Sequence, residues 1–214
     1  MRNTVVRRGP RVRVSGGAVL VAVGVLLSIL CGSGSLRSRV NSAVAVMAAI
    51  LFHESGHLIA AWACRVRVES LSLDVLGARL HTAGILSYGQ EWLVAAGGPV
   101  ASGLAAALAF PLWASRGYPD GGMLCLFVGA SAVLGGLNLL PVGTLDGGRM
   151  LYCALACTVG ERFAARALRL TGGVCVLALW LFSVYALLRV GEMVAPFAFS
   201  LVLLTRILRG DFQE

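Results

Sequence analysis

Apolar residues run along this chain in long blocks, not in the short periods of a fold with one wet face. The blocks cover 16–31, 40–64, 91–113, 121–140, 172–188 and 193–208. A bilayer-crossing helix needs about 20 predominantly apolar residues, so the pattern predicts about six membrane spans. One stretch departs from it. Between Arg65 and Tyr88, Val66, Val68, Leu71, Leu73 and Val75 alternate with polar neighbours, Gly77 offers a turn, and Leu80 to Ile85 return. That is the period of a strand pair and predicts a β-hairpin over 66–88. The block that begins near Gly121 breaks at Pro141 to Met150 and resumes over 151–160, and Gly97-Gly98-Pro99 interrupts the third block. The fold class expected is an all-α polytopic membrane protein with about six transmembrane helices and a small membrane-associated β-hairpin. It divides into an N-terminal arm and first span (1–39), a core (40–157) and a pair of C-terminal spans (158–214).

Composition agrees with this reading. Of 214 residues 58% are hydrophobic and only 13% charged, against about 25% charged in a soluble domain. Mean hydropathy is +0.85. The net charge is +8, and every one of the 18 basic residues is Arg. Such a balance raises the question of nucleic acid, but the Arg residues cluster between apolar blocks, where membrane topology and lipid headgroups account for them; nucleic acid is not an expected partner. Arg2, Arg7, Arg8, Arg11 and Arg13 precede the first block, and Arg65, Arg67, Arg162, Arg166, Arg169, Arg206 and Arg209 fall on the same side in a six-span reading. Arg37, Arg39, Arg116 and Arg189 fall opposite. By the positive-inside bias, both termini are expected in the cytosol of a cell, with the protein multi-pass in its cell membrane. The first block reads as an uncleaved span. The six Cys residues, none in a C-x-x-C pair, read as small buried hydrophobes.

Chemistry enters at Phe52-His53-Glu54-Ser55-Gly56-His57, inside the second block. Ionisable side chains at bilayer depth are costly and mark functional sites. The H-E-x-x-H spacing puts His53 and His57 on one helix face with Glu54 beside them. This is the geometry of a zinc site whose Glu activates a water. A catalytic zinc needs a third protein ligand. A third His in the pattern of another zinc-protease class would fall at Ala63; Glu69 lies in the strand-like stretch, and Glu91 at a membrane edge. Asp146 is the better candidate. It follows the break made by Pro141 and the glycines, and irregular backbone at that depth is tolerated only where protein or a water cavity surrounds it. An acid at a broken helix is a known way to build an ion site. His81, in the hairpin, reads as an interfacial residue.

The segments His53-Glu54-Ser55-Gly56-His57 and Asn138 to Arg149 (NLLPVGTLDGGR), with Gly98-Pro99 between them, resemble the site-2 protease family of intramembrane zinc metalloproteases. The three elements occur in the family's order, and the compact spans are similar to the group that contains the stage IV sporulation protease FB. The resemblance implies one Zn²⁺ per chain held by His53, His57 and Asp146, Glu54 as general base, and Asn138 positioning substrate or oxyanion. It implies a membrane-protein substrate cut in or next to a transmembrane segment, such as a membrane-tethered transcription or sigma factor, with the lipid bilayer and regulatory membrane proteins as partners. Where the family often has Asn, this chain has Ser102. The expectation for Ser102, with Gly98 and Gly103, is close helix packing against Gly56 and Ala60. An inactive homologue that binds membrane segments and a metal or ion transporter are the alternatives. The intact His53, Glu54, His57 and Asp146 weigh against the first, and the scarcity of other carboxylates in the membrane core against the second.

Overall fold

The computed structural model describes residues 11–14, 35–66, 68–74, 77–82, 84–117, 122–190 and 199–205. The first block, 16–31, and the ends of the last lie outside the described residues, so the first span and most of the sixth carry no structural account. Among the described residues, three helices are long and apolar enough to cross a membrane.

Helix α1 is Leu36–Ala63, 28 residues. At 1.5 Å per residue it is about 42 Å long, enough for the roughly 30 Å hydrocarbon layer. Ser35 caps its start, its hydroxyl accepting from the Ser38 N–H at 3.2 Å. It ends at Cys64, where Arg65 takes a positive φ of 56°. The Arg65 and Val66 N–H groups then turn back to the Trp62 and Ala61 carbonyls. This is a Schellman closure, made here without glycine. Helix α2, Tyr88–Ala114, opens with a capping box between Ser87 and Gln90. Pro99 and Pro111 lie within it. The Gly97-Gly98-Pro99 sequence therefore does not interrupt the helix as expected: Pro99 leaves only the Ala95 carbonyl without its helical partner, and α2 continues for four further turns.

Between α1 and α2 lie strands β2 (Val68–Asp74) and β3 (Gly77–Thr82), paired antiparallel, with β1 (Arg11–Val14) parallel on the far edge of β2. Gly77 opens β3 opposite Asp74 and is not itself the turn. His81 pairs with Ser70 through the backbone; its side chain lies outside the described residues.

Helix α3, Met123–Asn138, has only 16 residues, about 24 Å, and stops short of a full crossing. Its last carbonyls at Gly135, Gly136 and Leu137 are taken by the N–H groups of Leu139 and Leu140. The chain then turns twice: Val142 N–H to Leu140 O at 2.8 Å and Leu145 N–H to Val142 O at 2.8 Å. Helix α4 starts at Asp146 and runs to Val159, five residues before the point where the sequence pattern resumes. The break is held by what it buries. Val142 and Leu145 pack with Val176 and Leu203, and the Thr171 hydroxyl reaches the Pro141 carbonyl. Two glycines let α4 dock there. A methyl on Gly147 would collide with the Leu139 carbonyl, and one on Gly148 with that of Val142.

Helix α5, Glu161–Val190, is continuous over 30 residues. The loop expected to hold Arg162, Arg166 and Arg169 is instead its first turns. At about 45 Å the helix exceeds the hydrocarbon layer by some 15 Å, so its charged start can lie beyond the apolar zone. Residues 199–205 are helical and bring Leu203 to the cluster beneath the break.

The packing is inverted relative to a soluble bundle. On α1 the buried residues are Ala45, Ala49, His53, Gly56, His57 and Ala61, while Ile59 and Trp62 are 63% and 82% exposed. Small residues inward and large apolar ones outward is how helices pack when lipid, not water, is outside.

Candidate metal centre

The crossing of α1 and α2 makes the site. Gly56 and Gly97 oppose each other so closely that a Cβ on either would strike the partner's carbonyl. One residue on, a methyl at Gly98 would overlap both the His57 and His53 imidazoles. The rings therefore occupy the groove that Gly98 leaves open. Gly103, expected to share this packing role, faces open space.

His53, His57 and Asp146 converge, with exposures of 3%, 6% and 9%. The facing atoms are His53 Nε2, His57 Nε2 and Asp146 Oδ2. Their separations are 3.2 Å for His53–Asp146, 3.3 Å for His57–Asp146 and 3.3 Å between the two rings. Four ligands tetrahedral about zinc at 2.0–2.1 Å stand about 3.3–3.4 Å apart. The three protein atoms form one face of such a tetrahedron. They are the group that could hold a metal among the described residues.

Each of the three groups is oriented from behind. His57 Nδ1 lies 2.8 Å from the Val94 carbonyl of α2. A carbonyl only accepts, so the ring proton is on Nδ1 and donates to it. His57 Nε2 in the neutral ring is then a lone pair, aimed at a carboxylate oxygen 3.3 Å away. Such a pair is matched either by a proton on Nε2 or by a metal cation between the two atoms. His53 Nδ1 lies 2.9 Å from Ser102 Oγ, and Ser102 is fully buried. Ser102 is itself wedged between α1 and Gly135 of α3, whose Cα leaves no room for a methyl against the Ser102 Cβ. Asp146 is the first residue of α4, so its carboxylate sits at the positive end of the helix dipole.

Of the residues expected from sequence, His53, His57 and Asp146 come together. Glu54 follows His53 on α1 and is partly buried. Asn138 ends α3 and is buried; its amide donates to the Leu134 carbonyl at 3.1 Å, one turn back in its own helix. Glu91, at the start of α2, meets Arg149 of α4 at 3.5 Å. Nearby, the Tyr88 hydroxyl donates to Glu161, and Gln90 reaches the Cys64 carbonyl. These contacts tie α2, α4, α5 and the end of α1 into a polar layer. Ser102 and the Val94 carbonyl are the site groups that sequence reasoning missed. Ser102 was expected to pack, and it does, but its hydroxyl also engages His53.

Among solved structures, the chain is similar to the site-2 protease from Methanocaldococcus jannaschii, at 21% identity over 92% of this chain and 89% of that one, with a TM-score of 0.67. No protein-family model and no curated protein matches the chain. The likeness gives the fold, and with three apolar helices of spanning length the chain is a membrane protein.

Proposed function

We propose that this chain is an intramembrane zinc metalloendopeptidase that hydrolyses peptide bonds in or next to transmembrane segments of membrane proteins. The observation that carries the proposal is the His57–Asp146 approach. Val94 fixes one imidazole proton on the far side, so in the neutral ring a lone pair faces a carboxylate oxygen at 3.3 Å, with His53 Nε2 completing the triangle. This arrangement suits a divalent cation bound by two neutral imidazoles and a carboxylate, a donor set used for catalytic zinc. His53, His57 and Asp146 would hold it, with one position open.

When bound, zinc acts as a Lewis acid that brings the pKa of water to about 7 and polarises a carbonyl. The chain supplies the rest. Glu54, one residue along α1 from His53, takes a proton from the attacking water and returns it to the leaving amine. Asn138 stands where α3 ends; its amide has two hydrogens, one engaged with Leu134, and the other is offered to the substrate oxygen. A substrate helix must unwind for its carbonyls to be reached, and an edge of the β1–β2–β3 sheet is a template on which the extended segment can pair.

The test uses full-length chain in detergent and a single-span fusion protein as substrate. Wild type is expected to carry about one Zn²⁺ and to cut the fusion. Glu54→Gln keeps its zinc and loses roughly 10²–10⁴-fold in rate, because the amide cannot accept the proton. Zinc-loaded wild type that cuts none of a panel of single-span fusions would favour a non-proteolytic homologue. Undiminished cleavage by Glu54→Gln would remove Glu54 from the role of base.

A further inference from the structure

Helix α5 is longer than the hydrocarbon layer by about ten residues at 1.5 Å each. Its apolar run, 172–188, ends just before Arg189, so the excess falls at its start. That start, Glu161 to Leu170, holds Arg162, Arg166 and Arg169. At 3.6 residues per turn the three fall within about 60° of one another around the helix. All three are exposed. Ala164 and Leu168, the buried residues of this segment, lie on the opposite face, so the basic face points away from the bundle. Phe163 and Leu170, also exposed, flank it on one side. The acid of the segment, Glu161, is engaged by the Tyr88 hydroxyl. Among the described residues no carboxylate pairs with any of the three Arg residues. Like charges three and four apart on a helix repel, and a bound anion would remove that repulsion.

We propose that the outward face of the first turns of α5 binds an anionic phospholipid, its phosphate held by Arg162, Arg166 and Arg169 and its acyl chains covering Phe163 and Leu170. The inference stands on the membrane placement of α5 and not on the zinc reading. Guanidinium donors fork onto phosphate oxygens. Each Cβ of a helix leans toward the N-terminus, so the three side chains lean out of the apolar layer toward headgroup level. Arg169 does so: its Nε–H donates to the Ala165 carbonyl, one turn back, at 3.3 Å. Its two terminal amino groups remain for a ligand. A soluble anion would match the charge and leave Phe163 and Leu170 uncovered. A zwitterionic lipid would cover those side chains but bring its own cation to the Arg residues. An anionic lipid satisfies both halves of the face. The same turn is tied to the start of α2 through Glu161 and Tyr88, so lipid bound there steadies the junction of the two helices.

The experiment uses the full chain in detergent, stripped of lipid. The probe is phosphatidylglycerol, compared with phosphatidylcholine of the same acyl chains and with inorganic phosphate. Native mass spectrometry reads the lipid retained, and thermal unfolding reads the stabilisation that binding to the folded chain confers. Phosphatidylglycerol is expected to bind and to raise the unfolding midpoint. Phosphatidylcholine should be retained far less, and phosphate should not displace the bound lipid. Each basic residue at a membrane surface is worth roughly fivefold in affinity for anionic lipid, so Arg162→Gln, Arg166→Gln and Arg169→Gln together should weaken binding about 100-fold. A second variant, combining Arg37→Gln, Arg116→Gln and Arg189→Gln, loses the same charge at other exposed positions and should keep wild-type binding. Equal loss in the two variants would show that net charge, not this face, attracts the lipid, and would overturn the inference. Equal retention of the two lipids would overturn it as well, and so would phosphate that displaces phosphatidylglycerol. Should the first variant fail to fold, the wild-type competition among the three probes decides. None of these outcomes touches the protease reading, which zinc content and cleavage test separately.

Discussion

At the residue scale the site is an arrangement of acceptors. Asp146 supplies the only negative charge among the three facing atoms, so Asp146→Asn removes charge while keeping shape at the head of α4. Its zinc affinity is expected to fall by more than the roughly 100-fold upper range for outer-shell changes. Equilibrium dialysis against zinc checks this; affinity unchanged in Asp146→Asn but lost in Glu91→Gln would assign the third ligand to Glu91 instead. His53 and His57 were legible in the sequence because a helix converts a spacing of four into adjacency, and because imidazoles within an apolar block have few other reasons to be there. Asp146 was legible as an acid at a break in such a block. Ser102 was not, since its role depends on which residue of α2 stands behind His53, and that is set by the crossing of two helices rather than by either alone. Val94 leaves no trace in the sequence because it contributes only a carbonyl that every residue owns.

At the element scale, the groove that holds the imidazoles is made of missing side chains. Gly98→Ala places a methyl where His53 and His57 stand, whereas Gly103→Ala, one and a half turns on, places it in open space. Overpacking at Gly98 is expected to cost about 1–3 kcal/mol and to displace one or both rings. Zinc content should drop together with the unfolding midpoint in Gly98→Ala, while Gly103→Ala keeps both. Equal behaviour of the two variants would refute the groove. The long apolar helices and the break were readable, because block length and the Pro141 and glycine signals act locally. Helix boundaries were less so. Pro99 sits in the middle of α2 without ending it, since one lost N–H is a small defect in a helix packed on α1 and α3. The start of α5 was hidden by Arg162, Arg166 and Arg169, which read as a loop but lie on helix that outreaches the apolar layer. The parallel addition of β1 to β2 joins segments more than fifty residues apart, and no local pattern encodes it.

At the scale of the whole molecule, depth decides what the site can reach. His57 lies seven residues, about 10 Å, from the Cys64 end of α1, and Val94 lies six residues, about 9 Å, from the Tyr88 end of α2. The two ends are neighbours, joined by Gln90 and Cys64, so both helices place the centre in the half of the bilayer nearest the polar layer. The start of α1 and the end of α2 lie at the opposite face. Arg65, Arg162, Arg166 and Arg169 lie on the helix ends that open on the polar layer, and by the positive-inside bias that end is expected to be cytosolic. Peptide bonds would then be cut near the cytosolic end of a substrate's span, with product released inward. Single cysteines in a cysteine-free background test this in intact cells with a membrane-impermeant thiol reagent. Probes at Ser35 and Ser115, both exposed, should be labelled from outside. Probes at Gly89 and Thr158, exposed beside Tyr88 and Glu161 respectively, should be labelled only after the cells are opened. The reverse pattern would put the centre in the outer half of the membrane and direct its products out of the cell.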